Sequence, residues 1–419
     1  MNTVWLAGSI FLLTYALIVS ERIHRTISAL LGGLAMILFV LPQEQAFHAI
    51  DWNVIFLLAG MMIIANVLKE TGLFQWIAFQ AVRVGKGDPL RVLIILSLIT
   101  AVASALLDNV TIVVLIAPVT LFVASSLRVS PIPFLIAEIL ASNIGGMATL
   151  IGDPPNILIG SAADIDFVTF AANMGPISAI ILLVFIVLAR FMFKKELTVQ
   201  DQSSVDIAEL DASALITDPV LLRKSLIVMT GVTLGFILHG ALHLEPATIA
   251  LIGATLLMLW SKTDPHYALR DIEWITLFFF FGLFITVEAV VEVGIIGMIA
   301  DAALRLTGGN LALTSIGLIW FSAIASGIVD NIPYTATMIP IVKSLGQAMP
   351  AGPLWWSLAL GADLGGNLTL VGAAANVVVA NLAEKSGHPI SFGRFFRYGV
   401  ITTFMSLALA SGYVWLRYL

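Results

Sequence analysis

At 419 residues the chain is long enough for two or three soluble domains, but 59% hydrophobic and 11% charged residues exclude an ordinary soluble protein. The net charge of −6 comes without a basic patch, which excludes nucleic acid as a partner. With no cysteine, disulfides, thiolate metal sites and thiol chemistry are excluded as well. Apolar runs of about 17 to 22 residues recur from end to end, each able to cross a hydrocarbon core of about 30 Å. The expected fold class is therefore an all-α polytopic membrane protein, since a barrel would show short alternating segments.

In chain order, the predicted spans cover 4–20, 27–42 and 53–68, followed by an amphipathic stretch at 72–87. The stretch Val4 to Val19 lacks a basic region before it and a small-residue cleavage site, so it reads as a retained span. Two apolar arms, 92–107 and 110–127, meet at Asp108-Asn109; an interrupted span covers 133–163, and 174–193 closes the first half. Residues 194–225 are polar, with Asp201, Asp206, Glu209, Asp211 and Asp218, and read as a solvated linker. Beyond it come spans at 225–240, 247–260 and 274–291, arms at 312–329 and 332–347, a second interrupted span at 353–382, and a last span at 398–416.

The interruptions carry the most information. Between Ser142 and Asn156 the chain reads Ser-Asn-Ile-Gly-Gly-Met-Ala-Thr-Leu-Ile-Gly-Asp-Pro-Pro-Asn. The glycines disfavour helix, and Pro154 and Pro155 remove two amide donors. Non-helical backbone at membrane depth is tolerated only where it lines a cavity or is buried in protein. Gly145, Gly146, Thr149, Gly152 and Asn156 are answered by Gly365, Gly366, Thr369, Gly372 and Asn376, each pair 220 apart. Phe56, Gly60, Glu70 and Gly72 have twins 222 residues on in Phe278, Gly282, Glu292 and Gly294, and Ser104, Asp108, Asn109 and Pro118 in Ser326, Asp330, Asn331 and Pro340. One unit is used twice, as residues 1–193 and 226–419 around the 194–225 linker.

Positive charge sets the orientation. Placing Arg22, Arg25, Lys69, Arg83, Lys86, Arg91 and Arg128 inside makes the arms a re-entrant hairpin tipped by Asp108-Asn109, and the linker cytoplasmic. The first half then crosses five times, so its copy is inverted, and the second hairpin, tipped by Asp330-Asn331, enters from outside. Two full spans in place of each hairpin is the rival topology. Trp52, Trp274, Trp355 and Trp356 read as interfacial anchors, as do His239 and His243.

Two tips and two breaks in inverted copies converge near the midplane. The candidate binding groups are Asp108, Asn109, Thr111, Asn143, Gly145, Gly146, Thr149, Asp153 and Asn156 from the first half, and Asp330, Asn331, Asp363, Asn367, Thr369 and Asn376 from the second. No Lys, Arg or His joins this set, which argues against a multiply charged anion. Carboxylates at this depth either carry a coupling ion or cap the hairpin helices. For Asp108 and Asp330 the coupling reading is preferred, with Asp108→Asn or Asp330→Asn expected to abolish coupled flux. Asp363 stands where its twin is the neutral Asn143, which also makes it a candidate ion carrier.

Leu107-Asp108-Asn109-Val110-Thr111 with Pro118, and the run from Ala141 through Gly146 and from Thr149 to Asn156, resemble signatures of the ArsB/NhaD permeases of the ion transporter superfamily, over nearly the whole chain. That group includes arsenite and antimonite efflux permeases, Na⁺/H⁺ antiporters and the melanosomal P-protein type. The resemblance implies scaffold spans, 1–90 and 226–300, and transport elements, 91–193 and 308–419, that move in elevator fashion. Pro333 for Thr111 and Ala373-Ala374-Ala375 for Asp153-Pro154-Pro155 make the two halves chemically unlike.

The expected function is efflux of arsenite or antimonite as As(OH)₃ or Sb(OH)₃ coupled to proton antiport. Such hydroxyls suit Asp, Asn, Thr and backbone groups, and the absence of thiols avoids trapping As(III). The alternative is a Na⁺(Li⁺)/H⁺ antiporter with Na⁺ at Asn109, Asn143, Asn331 and Asp363. A membrane enzyme is not expected, because neither a Gly-x-Gly-Asp element nor an Asp-rich DDxxD-like run is present. No cofactor and no structural metal are expected. The expected partners are the bilayer, a small inorganic solute, and a proton or Na⁺; a homodimer and an arsenite-stimulated ATPase subunit are candidates. The expected location is the bacterial inner membrane.

Overall fold

The computed structural model describes residues 2–20, 22–197, 215–270 and 272–419, which form twenty helices and their connections. The first ten are α1 (Asn2–Ser20), α2 (Arg25–Phe39), α3 (Gln43–His48), α4 (Trp52–Lys69), α5 (Leu73–Val84), α6 (Pro89–Ser104), α7 (Asn109–Ser126), α8 (Ile132–Gly146), α9 (Pro154–Ala163) and α10 (Phe167–Phe193). The second ten are α11 (Pro219–Leu242), α12 (Pro246–Ser261), α13 (Pro265–Arg270), α14 (Trp274–Glu292), α15 (Ile295–Thr307), α16 (Leu311–Val329), α17 (Asn331–Leu345), α18 (Ala351–Gly365), α19 (Ala374–Lys385) and α20 (Phe392–Tyr418). Among the described residues, eight helices are long and apolar enough to cross a membrane.

Carboxylates set many of the helix starts, because an N-cap side chain satisfies amides that have no carbonyl one turn back. Asp51, Asp88 and Asp166 accept from Val54 N (3.1 Å), Arg91 N (2.9 Å) and Thr169 N (2.9 Å). Asp218 accepts from Val220 N and Leu221 N with Pro219 behind it, so α11 begins inside the stretch read as linker. The predicted linker acids Asp201, Asp206, Glu209 and Asp211 lie outside the described residues.

Each first-half helix has its counterpart in the second ten, and the packing repeats with them. α2 packs on α14 as α12 packs on α4; α6 packs on α8 as α16 on α18; and α7 meets α19 as α17 meets α9. The last pair carries each hairpin's returning arm onto the broken helix of the other half. Small residues permit the closest approaches. A Cβ on Gly282 would sit 2.3 Å from the Ala29 carbonyl carbon, and one on its twin Gly60 would sit 2.8 Å from that of Ala250. Gly282→Ala is therefore expected to cost about 1–3 kcal/mol, read as a lower thermal midpoint in detergent.

The broken helices form the centre. Every residue of α8 is buried, and α18 is buried from Leu354 to Gly365. This corrects the interfacial reading of Trp355 and Trp356, each only 7% exposed, whereas Trp52 and Trp274 are 49% and 47% exposed. A central helix has no lipid face, and Trp356 packs edge-on against Phe170. His239 accepts a hydrogen bond from Phe167 N at 3.0 Å, tying the end of α11 to the start of α10.

After α10 the chain is fastened to α20 by Glu196, which accepts hydrogen bonds from Arg394 and Tyr398. Burial alone would raise the Glu196 pKa, but these two bonds and the Arg394 charge outweigh it and hold the carboxylate below its ordinary range. A depressed folded pKa contributes stability above the unfolded value and loses it as pH falls through the folded one. The wild-type advantage over Glu196→Gln should thus be present at neutral pH and vanish below about pH 4. Exposure limits it to about 1 kcal/mol or less, measurable as a difference in thermal midpoints across pH.

Candidate functional site

Both interruptions fall at glycines, and proline restarts the helix at the first alone. α8 stops at Gly146 and α9 resumes at Pro154; α18 stops at Gly365 and α19 resumes at Ala374. A Cβ on Gly145 would lie 2.1 Å from the Ala101 carbonyl oxygen, and one on Gly365 would lie 2.5 Å from that of Ala323, its twin. The hairpins can press their backbones onto the breaks only because these positions carry no side chain.

A break leaves carbonyls and amides without helical partners, and buried polar groups of that kind must be satisfied. The motif side chains do this, twice over. Asn156 Nδ2 donates to Gly146 O and Thr149 O at 3.3 and 3.2 Å, and Asn376 Nδ2 to Gly366 O and Thr369 O at 2.7 and 2.9 Å. Thr149 and Thr369 donate to Ala105 O and Gly327 O, and Ser104 and Ser326 to Ser142 O and Ala362 O. Each tip locks onto a break through its own backbone, Asn109 N to Gly152 O at 3.0 Å and Asn331 N to Gly372 O at 3.1 Å. Thr149, Asn156, Thr369 and Asn376 are thus bound up in holding the breaks open.

Between the breaks the halves join through side chains. Asn143 Nδ2 donates to Asn367 Oδ1 at 3.0 Å and Asn376 Oδ1 at 3.1 Å, while Asn143 Oδ1 accepts from Asn109 Nδ2 at 3.1 Å. Asp153 accepts from both tips, from Asn109 Nδ2 at 2.6 Å and Asn331 Nδ2 at 3.3 Å. Asp363 is fully buried beside Asn156, yet neither carboxylate oxygen receives a well-formed hydrogen bond, the Asn156 amide being turned to Gly146 O and Thr149 O. The side-chain oxygens of Asn109 and Asn156 are likewise buried without donors. Asn143→Ala would strip partners from three buried amides, and is expected to cost about 2–4 kcal/mol in thermal unfolding.

The acids at the tips have other duties. Asp108 accepts from Thr111 N at 2.8 Å as the N-cap of α7. Asp330 caps α17 by accepting from Ile332 N at 3.0 Å, and its second oxygen accepts from Arg25 Nη1 at 2.7 Å. This corrects the reading that no basic side chain joins the site. Nothing local in the sequence marks Arg25, which reads as an orienting charge beside a first span; its partner lies 305 residues away. Glu273 was missed for the same reason, and lies within electrostatic reach of both Asp108 and Arg25.

Two cavities flank the site as twins. The smaller, about 180 Å³, is lined by Met62, Asn66, Lys69, Thr111, Val114 and Glu273. The larger, about 350 Å³, takes the matching positions Phe284, Glu288, Val291, Ala336 and Asp51, with Ser161 and Lys343. Asp51 accepts from Ser161 Oγ at 2.5 Å there. Among the described residues, no group of three His, Cys, Asp or Glu side chains is placed to hold a metal ion.

A sequence model of the CitMHS family, described as citrate transporter, matches residues 15–361. The chain belongs to the CitMHS family. This places it in the ion transporter superfamily that its motifs resemble, and makes it a transporter rather than an enzyme. The CitMHS chain is 46% identical over 421 residues to an uncharacterized transporter of Mycobacterium tuberculosis, covering 98% of both. It is 45% identical to a 46 kDa membrane protein of Mycobacterium leprae, covering 99% of both, in keeping with a multi-pass membrane protein. It is 34% identical to the human P protein, covering 94% of this chain and 58% of that one. The fold resembles the crystal structure of the Alcanivorax borkumensis YdaH transporter, with a TM-score of 0.61 at 13% identity, covering 90% of this chain and 87% of that one.

Proposed function

We propose that this CitMHS chain is an elevator-type secondary transporter that exports arsenite or antimonite, as As(OH)₃ or Sb(OH)₃, in exchange for protons. The observation that carries the coupling is Asp363, whose two buried oxygens lack donors while Asp153 sits across the same network. A charge left there is costly unless a cation meets it, and a proton is the cation that needs no extra room. A neutral trihydroxide would donate to the idle oxygens of Asn109 and Asn156 and bring no charge into the low-dielectric centre.

The repeated packing supports inverted halves, since five crossings per half turn the copy over. α2, α4, α12 and α14 pack on one another as a scaffold, and the hairpins pack with the broken helices as the moving part. The positive charges put the linker on the cytoplasmic side of the plasma membrane.

A second reading, Na⁺(Li⁺)/H⁺ antiport, is favoured by the same idle atoms, because hard oxygens without donors suit a bare cation. Citrate is disfavoured as a free trianion: Asp153 and Asp363 repel it, and Arg25 is already engaged by Asp330. Proteoliposomes loaded with a pH-sensitive dye separate these. The proposal expects proton movement driven by an arsenite or antimonite gradient. Movement driven by Na⁺ or Li⁺ alone selects the second reading, and movement driven by citrate alone rejects both.

A further inference from the structure

We propose that Arg25 is a scaffold-borne counter-ion that holds the second hairpin tip until a cation neutralises Asp330, and so suppresses movement of the empty carrier. The inference rests on the elevator reading above. Three observations single the pair out. Arg25 is the first residue of α2, where a positive charge faces the positive end of the helix dipole, an arrangement that local stability does not favour. Its guanidinium instead reaches out of the scaffold to Asp330, with its Cζ 5.8 Å from the Phe279 ring centroid.

Asp330 is also the one strained tip of the two. Its φ is +88°, a region that non-glycine residues rarely occupy, while its twin Asp108 is relaxed at −65°. At the twin of Arg25 stands Ala247, so α12 offers the first tip no such charge. A second contact falls beside the first: Tyr15 of α1 hydrogen-bonds Pro333 O at 2.8 Å and the Thr337 hydroxyl, both on α17. These bonds fasten the second tip and its returning arm to the scaffold.

The consequence for transport follows from charge pairing. Moving the hairpin away from α2 separates Arg25 from Asp330, and separating a largely desolvated pair strands a charge on each side. Both side chains are mostly shielded, 29% and 10% exposed. Glu273, Asp108 and Asp153 also lie within electrostatic reach of the tips, and as acids they cannot stand in for Arg25 against Asp330. Once a cation neutralises Asp330, the attraction is gone and the tip is free to leave.

The natural absence of cysteine makes the test direct. Single cysteines are placed by Val114→Cys in the smaller cavity and Ile339→Cys in the larger, in the full-length chain in liposomes, and labelled with an impermeant maleimide. Arg25→Gln should change the labelling ratio of the two sites by about tenfold. It should also produce proton leak in the absence of solute, read with an entrapped pH dye. Arg25→Lys, able to keep the single charged bond, should restore both. If Arg25→Gln does not fold, Asp330→Asn removes the same pair and is read by labelling alone. An unchanged labelling ratio, or tight coupling in Arg25→Gln, overturns the proposal.

A bis-maleimide bridge between Tyr15→Cys and Thr337→Cys tests the elevator reading separately. Flux that stops on bridging keeps that reading, so that a silent Arg25→Gln would then count against the latch alone. Flux that continues through bridged protein overturns both.

Discussion

Asp363→Asn is expected to reduce proton-coupled flux to the level of protein-free liposomes while leaving the fold intact. The substitution installs the amide that the twin position, Asn143, already carries, and the volume hardly changes. It removes a buried carboxylate that has no donor and supplies an amide able to donate to the idle Asn156 oxygen. Thermal stability should stay level or rise by about 1–3 kcal/mol. Loss of flux with retained stability is the signature of a functional acid. Asp108→Asn should have a much smaller effect, because an amide oxygen can still accept from Thr111 N and cap α7. The sequence reading made both acids candidate ion carriers; the cap that Asp108 forms, and the lack of a well-placed donor to Asp363, favour Asp363.

The largest expected structural effect belongs to Gly145→Ala. The new methyl group would meet the Ala101 carbonyl oxygen at 2.1 Å and the Ala101 Cα at 2.5 Å, both on the backbone of α6. A backbone cannot step aside as a flexible side chain can, so the hairpin must lift off the break. That would disturb the docking of Asn109 N on Gly152 O and the Ser104 bond to Ser142 O. A cost of about 3 kcal/mol or more is expected, seen as loss of monodisperse protein and a lower thermal midpoint. Gly352→Ala is the control, since nothing lies within 4 Å of its added methyl group.

The breaks and the twofold repetition were legible because glycine, proline and asparagine act locally. Gly145, Gly146 and Gly152 together with Pro154 and Pro155 weaken helix within a few residues, and a repeat at a fixed offset needs no knowledge of tertiary contacts. Asn143, Asn109, Asp153, Asn331, Asn367 and Asn376 were brought together as their shared placement on tips and breaks required. What the chain could not announce was pairing between distant elements. Arg25 reads as an orienting charge, and only packing puts it against Asp330. The burial of Trp355 and Trp356 was hidden for a similar reason: an apolar helix reads the same whether it faces lipid or lies at the centre of the protein. The division of labour among the acids was hidden too, because caps and free carboxylates share one residue type.

Proton release on solute binding tests the central claim most directly. Arsenite added to purified protein in weakly buffered detergent solution, with antimonite and Na⁺ as separate arms, should release a proton from the wild type and none from Asp363→Asn. Equal release from both proteins would contradict a carrier whose solute and proton compete at the junction of its two broken helices.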